Sequence, residues 1–122
     1  MGLTSEAIQR IRDAVGDDDL VIADILQSFV DEVDILLEKL SAAATTNDLK
    51  TLGRIAHTLK SSCRDLGDQA AGELCAKLES DVRAGDVVET GAAIVMITEA
   101  CLELKSEVIS YLGPIMERSQ MR

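Results

Sequence analysis

Aromatic residues are almost missing from this chain of 122 residues: Phe29 and Tyr111 are the whole supply, and there is no tryptophan. A core must therefore be packed from Leu, Ile, Val, Ala and Met, within an apolar fraction of 47%. Proline occurs once, at Pro114, so long stretches escape the helix interruption that a missing N–H imposes. Cations are scarce: 12 Lys and Arg stand against 22 Asp and Glu, a formal net charge of −10. That balance argues against nucleic acid, whose binders cluster cations to displace counterions from phosphates. It argues equally against anionic membrane surfaces. No run of about 18 apolar residues occurs, so no bilayer-spanning helix is expected. Met1-Gly2-Leu3-Thr4-Ser5-Glu6 has neither a basic stretch followed by an apolar one nor a Ser or Thr at position 6. A secretory signal and N-myristoylation are both unexpected, and the expected compartment is the cytoplasm.

Cysteine is sparse too. Cys63, Cys75 and Cys101 are odd in number and widely spaced, and the single histidine could not complete a zinc site with them. They read as small buried hydrophobes of a reducing compartment, with no metal and no cofactor of the chain's own expected. No glycine-rich nucleotide-binding segment occurs, and the length leaves no room for an ATP-binding domain, so no autokinase activity is expected.

What is present is helical periodicity, over a length that suits one domain with its own core. A first helix is predicted from about Ser5 to Val15, with Ile8, Ile11 and Val15 on one face. One aspartate of Gly16-Asp17-Asp18-Asp19 can cap a second helix from about Leu20 to Ala44. Its apolar stripe is Ile22, Ile25, Leu26, Phe29, Val33, Leu36, Leu37 and Leu40. Asn47 is the expected N-cap of a third helix from Asp48 to Leu66, whose seam of Leu49, Leu52, Ala56, Leu59, Cys63 and Leu66 has heptad spacing and stops at Gly67. Asp68 can cap a fourth, Gln69 to Ala84, with Ala71, Leu74, Cys75, Leu78 and Val82 inward. Asp86 and Glu89 have capping-box spacing for a fifth, about Val87 to Leu112, ended by Gly113-Pro114. The expectation is an all-α, antiparallel, up-down-up-down four-helix bundle with a short additional N-terminal helix. It forms a single domain with its core over about 20–112 and a flexible tail at 113–122. One bundle accounts for the apolar stripes, so a monomer is expected.

The only histidine, His57, lies in the third helix. At about 100° per residue it points roughly 145° from the centre of the apolar seam. Lys60 and Ser61 are its i+3 and i+4 neighbours, Arg54 and Gly53 precede it by the same steps, and Lys50 and Arg64 extend the stripe. An acidic chain thus gathers cations around its one imidazole. An imidazole with a pKa near 6.5 is a nucleophile near neutral pH. Attack on a phosphoryl group needs an exposed nitrogen, an in-line approach and cations for the equatorial oxygens. Gly53 keeps the surface beside the ring low. Periodicity alone leaves this face open between a nucleophilic site and a solvated surface.

The segment Ala56-His57-Thr58-Leu59-Lys60-Ser61-Ser62-Cys63-Arg64-Asp65-Leu66-Gly67 resembles the signature of histidine-containing phosphotransfer (HPt) domains, approximately A-H-x-L-K-G-S-[small]-x-x-L-G. Glu73-Leu74-Cys75-Ala76-Lys77-Leu78-Glu79 is similar to that family's next helix, and the resemblance covers roughly residues 20 to 112. It implies a four-helix bundle in which His57 accepts a phosphoryl group from a receiver-domain aspartate and passes it to another receiver in two-component signalling. It implies that Lys60 steadies the phosphate and that Glu79 hydrogen-bonds the other ring nitrogen. Mg²⁺ is expected in the partner receiver, and the partners are response-regulator receiver domains or a hybrid sensor kinase, which Lys50, Gly53, Arg54, Ser61 and Arg64 would meet. Ser61 stands where the family usually has glycine, and Arg64-Asp65 replaces a stretch that is often small and polar. Two other readings stand beside this one. The chain could dock and regulate a receiver or kinase without carrying phosphate, or be a plain bundle with an unrelated protein partner.

Overall fold

The computed structural model describes residues 2–86 and 90–120. Among them the regular elements are five helices: α1 Ser5–Val15, α2 Asp19–Thr45, α3 Leu49–Asp65, α4 Gln69–Ala84 and α5 Thr90–Gln120. Each of the first four begins at a side chain that accepts from an otherwise unpaired N–H of the first turn. Thr4, Asp18, Asp48 and Asp68 accept from Ala7, Leu20, Thr51 and Ala71. Gly16, Gly67 and Gly85 take left-handed φ values of 71, 92 and 79° where α1, α3 and α4 stop, a conformation that costs glycine nothing.

Two boundaries differ from the sequence reading. Asn47 does not cap α3; its φ is 55°, and it turns the chain out of α2, a left-handed role that asparagine tolerates. The cap is Asp48, whose carboxylate takes both the N–H and the hydroxyl of Thr51, at 3.2 and 2.7 Å. The predicted stop at Gly113-Pro114 does not occur either, and α5 continues through Pro114 to Gln120. Leu112 and Ile115 are both buried in the bundle, and Arg118 reaches Asp19 at 3.4 Å, so packing on both sides carries the helix across the proline. Pro114 itself is exposed, as is Ser110 one turn earlier, the residue whose carbonyl loses its donor there. Pro114→Ala should therefore raise stability in a urea melt, by up to about 3 kcal/mol if the position behaves as a helix interior. The predicted start at Val87, with Glu89 as its capping partner, lies outside the described residues.

The helices pack as a ring, with α2 against α5, α3 against α4, and α2–α3 and α4–α5 closing it, while α1 lies on α2. Ile22, Leu26, Leu40, Leu52, Leu59, Leu78, Ile97, Leu104 and Ile115 are fully buried at its centre. Ile55 joins the core although it lay outside the predicted seam, and Leu49 is only half-buried. Ile25 is exposed at the edge of the broad α2 stripe. The expectation that one bundle uses up every apolar stripe fails on α5, where Val95, Leu102, Ile109 and Met116 stay exposed. No helix among the described residues is long and apolar enough to cross a membrane.

Candidate functional site

The α3–α4 pair builds the site. Leu52, Ile55, Ala56, Leu59 and Cys63 bury one face of α3, and this leaves His57 on the opposite side with 60% of its side chain exposed. From α4, Leu78 goes into the core, and Glu79, one residue on, turns toward α3. Its carboxylate is 11% exposed and holds three partners: Lys60 Nζ at 2.6 Å, His57 Nδ1 at 2.8 Å and Arg83 Nη2 at 3.3 Å.

The cations decide the protonation pattern. The hydrogen bond from Lys60 holds the Glu79 carboxyl below its ordinary range, burial opposes this, and His57 adds to it. Glu79 is therefore an anion near neutral pH and can only accept. It follows that His57 Nδ1 carries the proton and donates it, and that Nε2, across the ring, holds the lone pair. An exposed imidazole in one fixed tautomer, with its nucleophilic nitrogen outward, is what attack on an electrophilic phosphorus requires.

The same pairing links the site to stability. A carboxyl whose folded-state pKa lies below its unfolded value stabilises the fold above the unfolded value, and that contribution disappears as pH falls through the folded one. Wild type should thus exceed Glu79→Gln in stability at neutral pH, and the gap should shrink as pH drops below the ordinary value of 4.5. Urea melts of both proteins across pH 3 to 7 would measure it; a gap that widens on acidification contradicts the pairing.

Beside the ring, Leu49, Lys50, Gly53, Arg54, Val82 and Arg83 line an open groove of about 510 Å³ that also takes in His57 and Glu79. Gly53 forms its low wall, since a Cβ there would meet only Val82, at 3.5 Å. The structure thus brings His57, Lys60, Glu79, Lys50, Gly53 and Arg54 together. Lys60 is not free as the periodicity implied: its side chain is 19% exposed and lies on Glu79. Ser61 is exposed outside the groove. Arg64 lies elsewhere too, its stem over α4, where a Cβ on buried Gly72 would come within 2.7 Å of Arg64 Cγ. Arg83 went unread in the sequence, although it stands four residues after Glu79 on the same helix face.

A family model described as the Hpt domain matches residues 24–108. The chain belongs to the Hpt-domain family. This places it in histidine phosphotransfer within two-component signalling. Its sequence is 46% identical over 44 residues to the sensor protein TorS of Escherichia coli (strain K12), a match that spans 36% of this chain and 5% of TorS. Its fold is similar to the crystal structure of histidine-containing phosphotransfer protein B (HptB) from Pseudomonas aeruginosa PAO1, with a TM-score of 0.83 over 93% of this chain and 96% of that one, at 19% identity. In this Hpt domain the bundle and the α3–α4 pair carry the only histidine of the sequence. Among the described residues no group of three His, Cys, Asp or Glu side chains is arranged to hold a metal ion.

Proposed function

We propose that His57 is the phosphoacceptor of a phosphorelay carrier, charged by the aspartyl phosphate of one receiver domain and discharged onto the aspartate of another. The Nδ1–Glu79 hydrogen bond supports this most directly, because it leaves Nε2 as the attacking nitrogen. In transfer, the Nε2 lone pair forms the N–P bond as the bond from phosphorus to the aspartyl oxygen breaks, and the aspartate leaves as a carboxylate. The ring keeps its Nδ1 proton, and Glu79 offsets the charge that grows on the imidazole. Lys60 stands one turn from His57 and can turn its ammonium from Glu79 to a phosphoryl oxygen. Arg83 remains beside Glu79 when Lys60 moves. Mg²⁺ and the acidic residues that bind it belong to the receiver. The receiver docks over the groove, against Gly53, Lys50 and Arg54, with Ser61 and Arg64 further along α3. One copy of the chain supplies every one of these residues, so a monomer suffices.

The test is transfer from a labelled, phosphorylated receiver domain. Acid-labile, alkali-stable label should appear, and tryptic digestion at alkaline pH should place it on residues 55–60, the peptide between Arg54 and Lys60. Label on any other peptide refutes the assignment. Exposed Ser61, in the place of the family's usual glycine, favours a second reading, a module that docks a receiver or kinase and regulates it without carrying phosphate. That reading predicts receiver binding with no label at any time. Lys60→Ala should slow transfer without loss of the fold; an unchanged transfer rate would remove Lys60 from the reaction.

A further inference from the structure

Outside the site, the surface feature that the fold leaves unexplained runs along α5. Val95, Leu102, Ile109 and Met116 are 56, 43, 48 and 45% exposed. They are spaced seven residues apart, so on a helix they form one nearly straight row about 32 Å long. Single exposed apolar residues are ordinary on a soluble protein, whereas four aligned along one helix face form a stripe of the kind that interaction surfaces use. A spacing of seven fills one of the two seam positions of each heptad, so a second helix lying alongside can meet the row once every two turns.

Charge identifies the occupant. At one end the row borders a groove of about 530 Å³ between α2 and α5, in which Glu38 and Glu99 are joined by Leu37, Ile94 and Val95. Glu103 and Glu117 are exposed further along α5. Lys105, the cation next to the row, is held by Asp34 at 2.7 Å. None of the ion pairs among the described residues involves Glu38, Glu99, Glu103 or Glu117. A second copy would bring these acids against their own kind, between chains that each carry −10, and like charges across an interface disfavour it.

We infer that the outer face of α5 docks a cationic amphipathic helix of a partner protein. Its apolar side lies on Val95, Leu102, Ile109 and Met116, and its Lys or Arg side chains lie against Glu38, Glu99 and Glu103. The row borders α2, and α3, which carries His57, sits at the corner of the ring opposite α5. A helix bound there leaves His57 and its groove open, so the domain can be held on a partner while it meets a receiver. Binding on α5 involves no phosphate and is independent of the role assigned to His57.

The probe is a synthetic helix of about 24 residues with Leu at the a and d positions and Lys at e and g, alongside a twin with Glu at e and g. Both are titrated into the full chain by fluorescence anisotropy. The Lys helix should bind, and weaken as salt rises. Affinity should fall at least about tenfold in Leu102→Ser/Ile109→Ser, and again in Glu38→Lys/Glu99→Lys. Val21→Ser/Ile25→Ser, which removes exposed apolar groups elsewhere on α2, should bind as wild type does, and the Glu twin should not bind. Circular dichroism checks that each variant is folded, and Leu102→Ser/Ile109→Ser should still take label at the wild-type rate. Equal affinity of wild type and Leu102→Ser/Ile109→Ser overturns the proposal. So does sedimentation of the wild type alone as a dimer that Leu102→Ser/Ile109→Ser dissolves, because the occupant is then a second copy.

Discussion

His57→Gln should take no phosphoryl group from a phosphorylated receiver domain, and should melt where the wild type melts. The two halves of this expectation have separate causes. A glutamine amide can still donate to Glu79, so the interhelix hydrogen bond has a replacement. The side chain is 60% exposed, so the change leaves no cavity, and with the bond to Glu79 replaced the expected shift in stability is about 0.5 kcal/mol. The amide nitrogen, however, has its lone pair delocalised into the carbonyl and is no nucleophile. Transfer then fails at the step that forms the N–P bond, whatever the receiver's affinity. Measuring receiver binding beside label uptake separates the cases: retained binding with lost uptake fits a phosphoacceptor, and retained uptake excludes His57 from that role.

Glu79→Leu should slow transfer by about 10- to 100-fold while leaving His57 in place. The size follows from the bond: a hydrogen bond to a charged group is worth about 1.5–3 kcal/mol, and each 1.36 kcal/mol lost from transition-state stabilisation is about tenfold in rate. Without the carboxylate the imidazole is free to place its proton on either nitrogen, and the tautomer with Nε2 protonated cannot attack. Glu79 is a positioning residue, and a readout specific to that role is the ¹⁵N shifts of the ring. They should report one tautomer in the wild type and a mixture in Glu79→Leu. Glu79→Gln should lie between the two, because its carbonyl oxygen still accepts from Nδ1 without the charge. If the leucine variant transfers at the wild-type rate with unchanged ring shifts, the hydrogen bond has no part in the reaction.

The sequence exposed the parts of this site that obey local rules. A solitary histidine off the seam, a lysine three residues on and a glycine one turn before it can all be read from a wheel. The motif supplied Glu79, which periodicity alone could not pair with His57, because the two are separated by a turn and most of another helix. That contact depends on how α3 and α4 pack, and packing is a tertiary property. The burial of Lys60 is of the same kind, since only the approach of α4 brings a carboxylate to its ammonium. The missed helix beyond Pro114 has a comparable cause. A proline is a strong local stop, but Ile115 is 1% exposed, and burying such a side chain returns about 1.5–3 kcal/mol, enough to offset most of the lost backbone bond. At Asn47–Asp48 both residues are good caps, and the choice rested on which of them would take the left-handed turn.

Cys63, Cys75 and Cys101 come from α3, α4 and α5 and are completely buried, with 3.8 Å between the sulphurs of Cys63 and Cys101. Hydrogen bonding to Cys63 and Cys75, together with burial, keeps the Cys101 thiol protonated. None of the three sulphurs is exposed, so an alkylating reagent meets them only when the helices part, whatever their protonation. Because each thiol sits on a different helix, pulse alkylation followed by mass spectrometry reads the order in which α3, α4 and α5 release from the core. Simultaneous modification of all three marks one cooperative opening, and early modification of one marks a helix that detaches first. The wild-type chain thus carries three native reporters of its own unfolding, placed at its centre with no label added.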